Sequence, residues 1–562
     1  FNLSATLSSH MVLQQQPASA MLWGWGTPGA QIHLDGGGLP GAKISSDGRW
    51  KLRLPPQAAG SAFGSGNITL SSGGGSVITL TDVLFGEVWL CTGQSNMGVT
   101  LSQAGSGPEH NLSALTAWSG DVTDGQAEIA NSAAYPLVRV AQQAYVSLPR
   151  ATEHASLSRG WMVPSPANIG EFSAVCWMFG RRLQQHLQVP VGLVQNQVGG
   201  TAVERWSSAA ALSKCDQTRG TRMAVCKEGP AAPPIGADEE AAQDLNATYY
   251  NGMIAPWLPM AVRGALWYQG ESNVACSDVW PYVQGENCAM SAGDCAGYYE
   301  CQFPAMIADW RSSFAGPWQG TGVELTFVFV GLPAYIQDLP STSYDGHVDS
   351  SLPLLRLAQS AASRLNHTAM VSLVDHGYLF GWLGSIHPMD KTPVGRRLVL
   401  AAREHAYHER IVSSGPVALS ASLTQSGDIL LTFANVGASG LLLRTGGAVR
   451  QLCPTGQKQT TGNPVDATVP QSQCGAATGF EVAAEQGAWH AVDSIRVSPT
   501  DRSAIVLAMP SRLRSAVEAK VEAKVRLRYL FADWPTPTVY DAQSYLGPNG
   551  ELPAPPFELE VA

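Results

Sequence analysis

The sequence has no unbroken apolar run near the roughly 18 residues that a membrane-spanning helix requires. The segment "LTFVFVGLPAYI" stops well short of that length. Charge is sparse, with Asp, Glu, Lys and Arg together making up 14% of the chain. What charge there is leans acidic, 44 residues against 34 basic ones, the wrong sign for a nucleic-acid surface. No C-x-x-C spacing occurs and no histidine stands at ligand distance from a cysteine, so a zinc site is disfavoured. No metal or cofactor is expected. The chain opens on Phe1, without an initiator Met or a signal peptide, and reads either as an arbitrary start or as a processed, mature N-terminus.

What is present is length, glycine, proline and cysteine. A chain of 562 residues is too long for one core, and two to four domains are expected. The 58 glycines and 36 prolines favour strands and loops over long helices. Eight of the ten cysteines lie in polar, loop-like sequence: Cys215 with Cys226, then Cys276, Cys288, Cys295 and Cys301, then Cys453 with Cys474. Such cysteines read as disulfide partners, whereas Cys91 and Cys176, flanked by apolar residues, read as buried thiols. Glycosylation sequons stand at Asn2, Asn67, Asn111, Asn246 and Asn366. Together these features predict an oxidising compartment: secreted, lysosomal or vacuolar.

Residues 1–84 read as a small β domain, in which "MLWGWGTPGAQIHLDGG" and "GRWKLRLPPQ" alternate apolar with polar positions. Over residues 85–410 apolar strand candidates ("VLFGEVWLC", "VPVGLVQNQ", "VRGALWYQ", "LTFVFVGL", "AMVSLVD") alternate with amphipathic helical stretches. That alternation predicts an α/β fold with a parallel sheet covered by helices on both faces. Residues 411–562 return to short strands, a second β domain, and the closing "GPNGELPAPPFELEVA" is expected to lie extended over a neighbouring domain.

Catalytic groups in parallel sheets gather on loops at the carboxyl ends of the strands. Ser95, in "GEVWLCTGQSNMGVT", follows a strand on what reads as a sharp turn, a position suited to a nucleophile but also to an ordinary loop serine. Met97 replaces the second glycine of G-x-S-x-G, which argues against an α/β-hydrolase elbow. His387, followed by Pro388, sits on a loop ahead of an amphipathic helix, placed either to act as a base or to cap that helix. Gly199 and Gly200 follow one strand and offer backbone N–H groups, while Gln269, Glu271 and Asn273 follow another, where Gln269 and Asn273 offer amides and Glu271 a carboxylate. Each of these breaks has an ordinary reading as a turn or polar loop. Four of them among the strands of one domain make a constellation.

The motifs GQSNM after GEVWL, GGT…E.W, WYQGESN and IHP..K..VG.RL, in that order, resemble the sialate O-acetylesterase family. The resemblance extends to "MVLQQQP…WGWGTPG", "DGRWKLRLPP", "LRLAQ" and "LPAPPF", nearly the whole chain. It implies an SGNH-hydrolase-like three-layer catalytic domain, lying between the two flanking regions whose short strands read as β-sandwich-like domains. It also implies an esterase that removes O-acetyl groups from sugars, sialic acids above all, with Ser95 as nucleophile and His387 as base. Gly200 is similar to the glycine donor of the SGNH oxyanion hole. Two positions depart from the pattern. Gly384 stands where SGNH enzymes carry an acid, so Asp375 is expected to orient His387, or else a dyad works with a backbone carbonyl. GESN replaces GxND, so the side-chain oxyanion donor is expected to be Gln269, with Asn273 second. Trp206, Trp267 and Tyr268, beside these motifs, are candidates for stacking on a sugar or for packing beneath the site. Alternatives are an esterase of other acetylated polysaccharides and an inactive carbohydrate-binding relative.

Overall fold

The computed structural model describes residues 1–35, 41–60, 66–73, 75–105, 124–215, 246–274, 292–315, 324–335, 351–378, 385–446, 474–485, 487–514, 524–543, 546 and 550–562. Gly384, Asn111, Cys226, Cys276, Cys288 and Cys453 lie outside the described residues.

At the centre is an eight-stranded sheet. Its strands are β1 (Val12–Gln14), β2 (Leu84–Gly93), β3 (Val138–Gln143), β4 (Leu157–Met162), β5 (Val191–Gln197), β6 (Gly264–Tyr268), β7 (Thr326–Gly331) and β8 (Thr368–Ser372). The order across the sheet is β4-β3-β5-β2-β6-β7-β8, with β1 pairing the start of β2. Every pairing is parallel except that of β3 with β4. Strands β5, β6 and β7 are buried along their whole length, and β2 nearly so, which is why their sequences run apolar without alternation. Chain order reverses direction at β2, which makes its carboxyl end the topological switch point where α/β sheets place their sites.

Helices cover both faces. Helices α2 (Ala174–Leu187) and α5 (Thr392–His405) pack together on one face, α3 (Ala292–Phe314) and α4 (Ser351–Ser360) on the other. Strand parity explains the division. Trp267 pairs with Thr92, so Trp89, three residues earlier on β2, points to the opposite face. Trp89 meets Phe179 of α2 at 5.0 Å between ring centroids, and Trp267 meets Phe303 and Trp310 of α3 at 6.0 and 5.9 Å. Cys91 shares the parity of Trp89 and faces α2, where it is disulfide-bonded to Cys176. This corrects the expectation of two buried thiols: apolar flanks reported burial, and two thiols buried against each other across a strand and a helix form a bridge. Cys215 bonds to Cys301, 86 residues along the chain, rather than within its local group. Cys295 and Cys474 are also disulfide-bonded.

The first strands form a three-stranded and a four-stranded antiparallel sheet. Their apolar side chains, including Trp23, Trp50 and Leu52, merge into the same hydrophobic core as the central sheet. Beyond α5 an eight-stranded sheet is built around a core of its own. Phe557–Val561 lies inside that sheet, between Val525–Tyr529 and Val417–Leu423, rather than draped over a neighbour. Arg356 of α4 joins the two regions: its buried guanidinium donates to the carbonyls of Leu332 and Pro333 after β7 and of Ala532 and Asp533 in the later region. Asn2, Asn67 and Asn366 are exposed and Asn246 is half-buried.

Candidate active site

Strand β2 ends on Gly93, whose φ of +128° is open to glycine and little else. A Cβ there would stand 2.2 Å from the Tyr268 carbonyl oxygen. The chain then turns at once into the one-turn helix α1 (Ser95–Gly98), with Ser95 as its first residue. The first N–H groups of a helix have no partner inside it. The backbone N–H of Ser95 donates to no group among the described residues. The half-buried Ser95 hydroxyl lies 2.8 Å from His387 Nε2, a contact across 292 residues of sequence. A hydroxyl on a sharp turn with an imidazole in hydrogen-bond contact is the arrangement nucleophilic catalysis needs.

The alignment of serine and histidine is held from below. Asn96, fully buried, donates from Nδ2 to the Ile386 carbonyl at 2.8 Å and to Glu271 Oε1 at 2.6 Å. Its Oδ1 accepts from Lys391 Nζ at 2.6 Å. One amide therefore fastens the residue after the nucleophile to the residue before the histidine, and both to β6's carboxyl end. Burial drives the Lys391 ammonium down to about 7, with Glu271 and Asp390 opposing, and burial raises Glu271, with Asn96 and Lys391 opposing. Both shifts favour the neutral forms, as expected for charges held away from water. Ser173, the N-cap of α2, adds a further tie: its hydroxyl accepts from Cys176 N–H and donates to the Met97 carbonyl.

Gly199 and Gly200 lie just past β5. A Cβ on Gly199 would come within 3.4 Å of the Ser95 Cβ, so the backbone here runs directly against the nucleophile. Gly200 has φ +67°, and its N–H, like that of Ser95, donates to no group among the described residues. Gln269 is different from expectation. Both hydrogens of its buried amide are committed, to the Thr201 carbonyl at 3.0 Å and Asn273 Oδ1 at 2.6 Å, and its oxygen accepts from Tyr299. An amide so bound has no N–H left to offer an oxyanion. Asn273 donates to Glu204 Oε2 at 3.0 Å and accepts from Val203 N–H, which leaves one amide hydrogen.

Asp375 lies three residues beyond β8, and its carboxylate takes a two-pronged bond from Arg397 of α5, at 2.8 and 3.0 Å. The guanidinium also donates to the Ser372 carbonyl, fastening α5 to the end of β8. Trp206, Trp267 and Tyr268 are fully buried and pack beneath the site rather than facing a ligand. Sequence reasoning had passed over Asn96, Lys391 and Arg397. The available signal was adjacency: Asn96 follows the serine, and Lys391 lies four residues after the histidine in the stretch quoted above.

The family model described as carbohydrate esterase, sialic acid-specific acetylesterase matches residues 86–338. The chain is 31% identical over 437 residues to the sialate O-acetylesterase of Homo sapiens, covering 74% of this chain and 73% of that protein. It is 31% identical over 476 residues to that of Mus musculus, covering 76% and 78% respectively. Among solved structures, a carbohydrate acetylesterase from Xanthomonas citri matches with a TM-score of 0.70 and 27% identity, over 99% of both chains. A three-layer α/β sheet with the serine motif at its switch point, and relatives of this identity along three-quarters of its length, make the chain a member of the sialate O-acetylesterase family of carboxylic ester hydrolases.

Proposed function

We propose that the protein hydrolyses O-acetyl esters on sugars, O-acetylated sialic acids among them, through an acyl-enzyme on Ser95. The observation that carries this reading is the 2.8 Å contact between His387 Nε2 and Ser95 Oγ at the sheet's switch point. Ser95 Oγ attacks the acetyl carbonyl carbon while His387 takes its proton. The tetrahedral intermediate collapses, the sugar oxygen leaves with that proton, and acetyl-Ser95 remains. Water then attacks the acetyl carbon, its proton passing through His387 to Ser95 Oγ as acetate departs. The backbone N–H groups of Ser95 and Gly200 hold the oxyanion, with the remaining amide hydrogen of Asn273 as the side-chain donor; one such donor is worth about 100-fold in turnover. Asp375, paired with Arg397, acts as a positioning residue that fixes the helix behind His387. Disulfides and exposed sequons support a secreted or lysosomal protein.

Acetate release from p-nitrophenyl acetate and from 9-O-acetylated sialic acid tests the reading. Both activities are expected in the wild type, with loss to background in Ser95→Ala. A Ser95→Ala protein that still cleaves either ester above background overturns it.

A further inference from the structure

Beside α1 the carboxyl ends of β3 and β5 frame a cleft of about 310 Å³. This is at the small end of the roughly 300–1,000 Å³ that ligand sites occupy, the size of a single sugar unit rather than an oligomer. Gly98, the last residue of α1, forms part of its wall. At about 1.5 Å of rise per helical residue, the cleft begins within about 5 Å of Ser95 along the helix axis.

Its lining is unusual in kind. Gln142 and Gln195 reach it from neighbouring strands, joined by Gln197, Tyr145, Ser158 and Glu171, and among the described residues none that lines it is Lys, Arg or His. The glutamine amides are fixed in orientation. Gln195 Oε1 accepts from the Ser173 N–H at 2.8 Å and from Gln142 Nε2 at 3.1 Å, and Gln142 Nε2 also donates to the Glu171 carbonyl. Neither amide can turn over without facing like groups together. That leaves Gln195 Nε2 as a donor and Gln142 Oε1 as an acceptor with no partner among the described residues, on residues paired across neighbouring strands at the end of the sheet. Gln197 donates to the Tyr145 hydroxyl at 3.3 Å and keeps its own oxygen as a second acceptor. The Tyr145 ring is 68% exposed, an apolar surface with a polar tip. The Glu171 carboxylate is exposed and forms no ion pair among the described residues.

A sugar hydroxyl both donates and accepts, so it satisfies a fixed donor beside a fixed acceptor. A carboxylate only accepts: Gln195, Gln197 and Tyr145 can donate to it, but the Gln142 and Gln197 oxygens offer it nothing and Glu171 repels it as a like charge. We infer that this cleft is the sugar subsite of the active site and takes an uncharged, hydroxyl-rich unit of the acetylated substrate, keeping any carboxylate outside. The inference rests on the acyl-transfer reading above and specifies its substrate class. Two sources share that chemistry, the ring of a neutral sugar and the polyol side chain of an acidic one.

The test compares kcat/KM for p-nitrophenyl acetate, a 6-O-acetyl methyl hexoside, 9-O-acetylated sialic acid, and that acid with its carboxyl converted to the amide. In wild type the amide is expected to be cleaved at least as well as the acid, and a fall of more than about threefold overturns exclusion of the carboxylate. Tyr145→Ala and Gln195→Leu are expected to lower the ratio of sugar ester to p-nitrophenyl ester by about five- to tenfold, the worth of one or two hydrogen bonds and a stacking surface. A fall for the hexoside alone assigns the cleft to a ring, a fall for the sialate alone assigns it to a polyol chain, and a fall for both shows that it accepts either; each supports the subsite. Ratios unmoved for both sugars overturn it. Gln195 also caps the Ser173 N–H, so if Gln195→Leu fails to fold, the exposed Tyr145→Ala carries the test alone. Failure of the catalytic reading would register separately, as sugar-ester cleavage surviving in Ser95→Ala.

Discussion

Replacing Asn96 by alanine separates the chemistry of this site from the frame that aligns it. Asn96 is fully buried beneath the nucleophile, so its removal acts through the residues it holds. The substitution deletes the bonds to Ile386, Glu271 and Lys391. Hydrogen bonds to charged partners are worth about 1.5–3 kcal/mol each, and leaving one member of a buried charged set without its partner costs about 3–5 kcal/mol. Because these terms overlap, a loss of about 3–5 kcal/mol in unfolding free energy is expected. The kinetic effect comes from the Ile386 carbonyl, one residue before the base. A displacement of about 1 Å between reacting groups costs about 100-fold, so kcat is expected to fall by about 10- to 100-fold with KM little changed. Urea unfolding followed by tryptophan fluorescence gives the first quantity, and initial rates on p-nitrophenyl acetate give the second. If Asn96→Ala keeps kcat within about threefold of wild type while losing the stability, the amide supports the fold without aligning the catalytic pair, and the reasoning fails.

Two further outcomes follow from the same structure. Burial holds Lys391 at about 7 against an ordinary 10.5, so between those pH values the native protein binds fewer protons than the unfolded chain. Stability from this group therefore rises with pH across that window, by about 1.4 kcal/mol per pH unit at most, and Lys391→Met is expected to flatten the rise in urea midpoints between pH 7 and 9. Cys91 and Cys176 are 85 residues apart, a separation at which closing the loop in the unfolded chain is worth about 4–5 kcal/mol at 25 °C. Replacing both by alanine is expected to lower the urea midpoint accordingly, and an unchanged midpoint would show that the bridge adds nothing.

The three-layer architecture was legible because burial on both faces leaves a plain mark: β2, β5, β6, β7 and β8 run apolar and are separated by helical periodicity. Strands β3 and β4 were missed, since "VRVAQQ" and "LSRGWM" carry polar residues toward the cleft and the sheet edge. Ser95, His387 and Gly200 could be picked out because a turn, a loop and a glycine are local features. The framework around them is not local. Asn96 reads as one more polar residue until the fold brings Ile386, Glu271 and Lys391 to its three amide contacts. Gln269 failed as an oxyanion donor for the same reason: its residue type advertised two hydrogens, and only the packing of Thr201 and Asn273 revealed that both were engaged. Cys91 and Cys176 likewise looked like core residues because they are core residues, and strand parity alone brought them together.

Arg356 has a consequence for how this chain can be taken apart. Its guanidinium reaches four carbonyls, two just past β7 and two in the region beyond residue 411, and burial lowers its pKa to about 10. Cutting the protein before that later region would strand a cation in the interior with half its acceptors removed. The later β region is therefore not a detachable appendage that can be exchanged between proteins like a cassette. Any transplant of the catalytic sheet has to bring the Ala532–Asp533 turn with it, or replace Arg356 by an apolar side chain that asks for no partner.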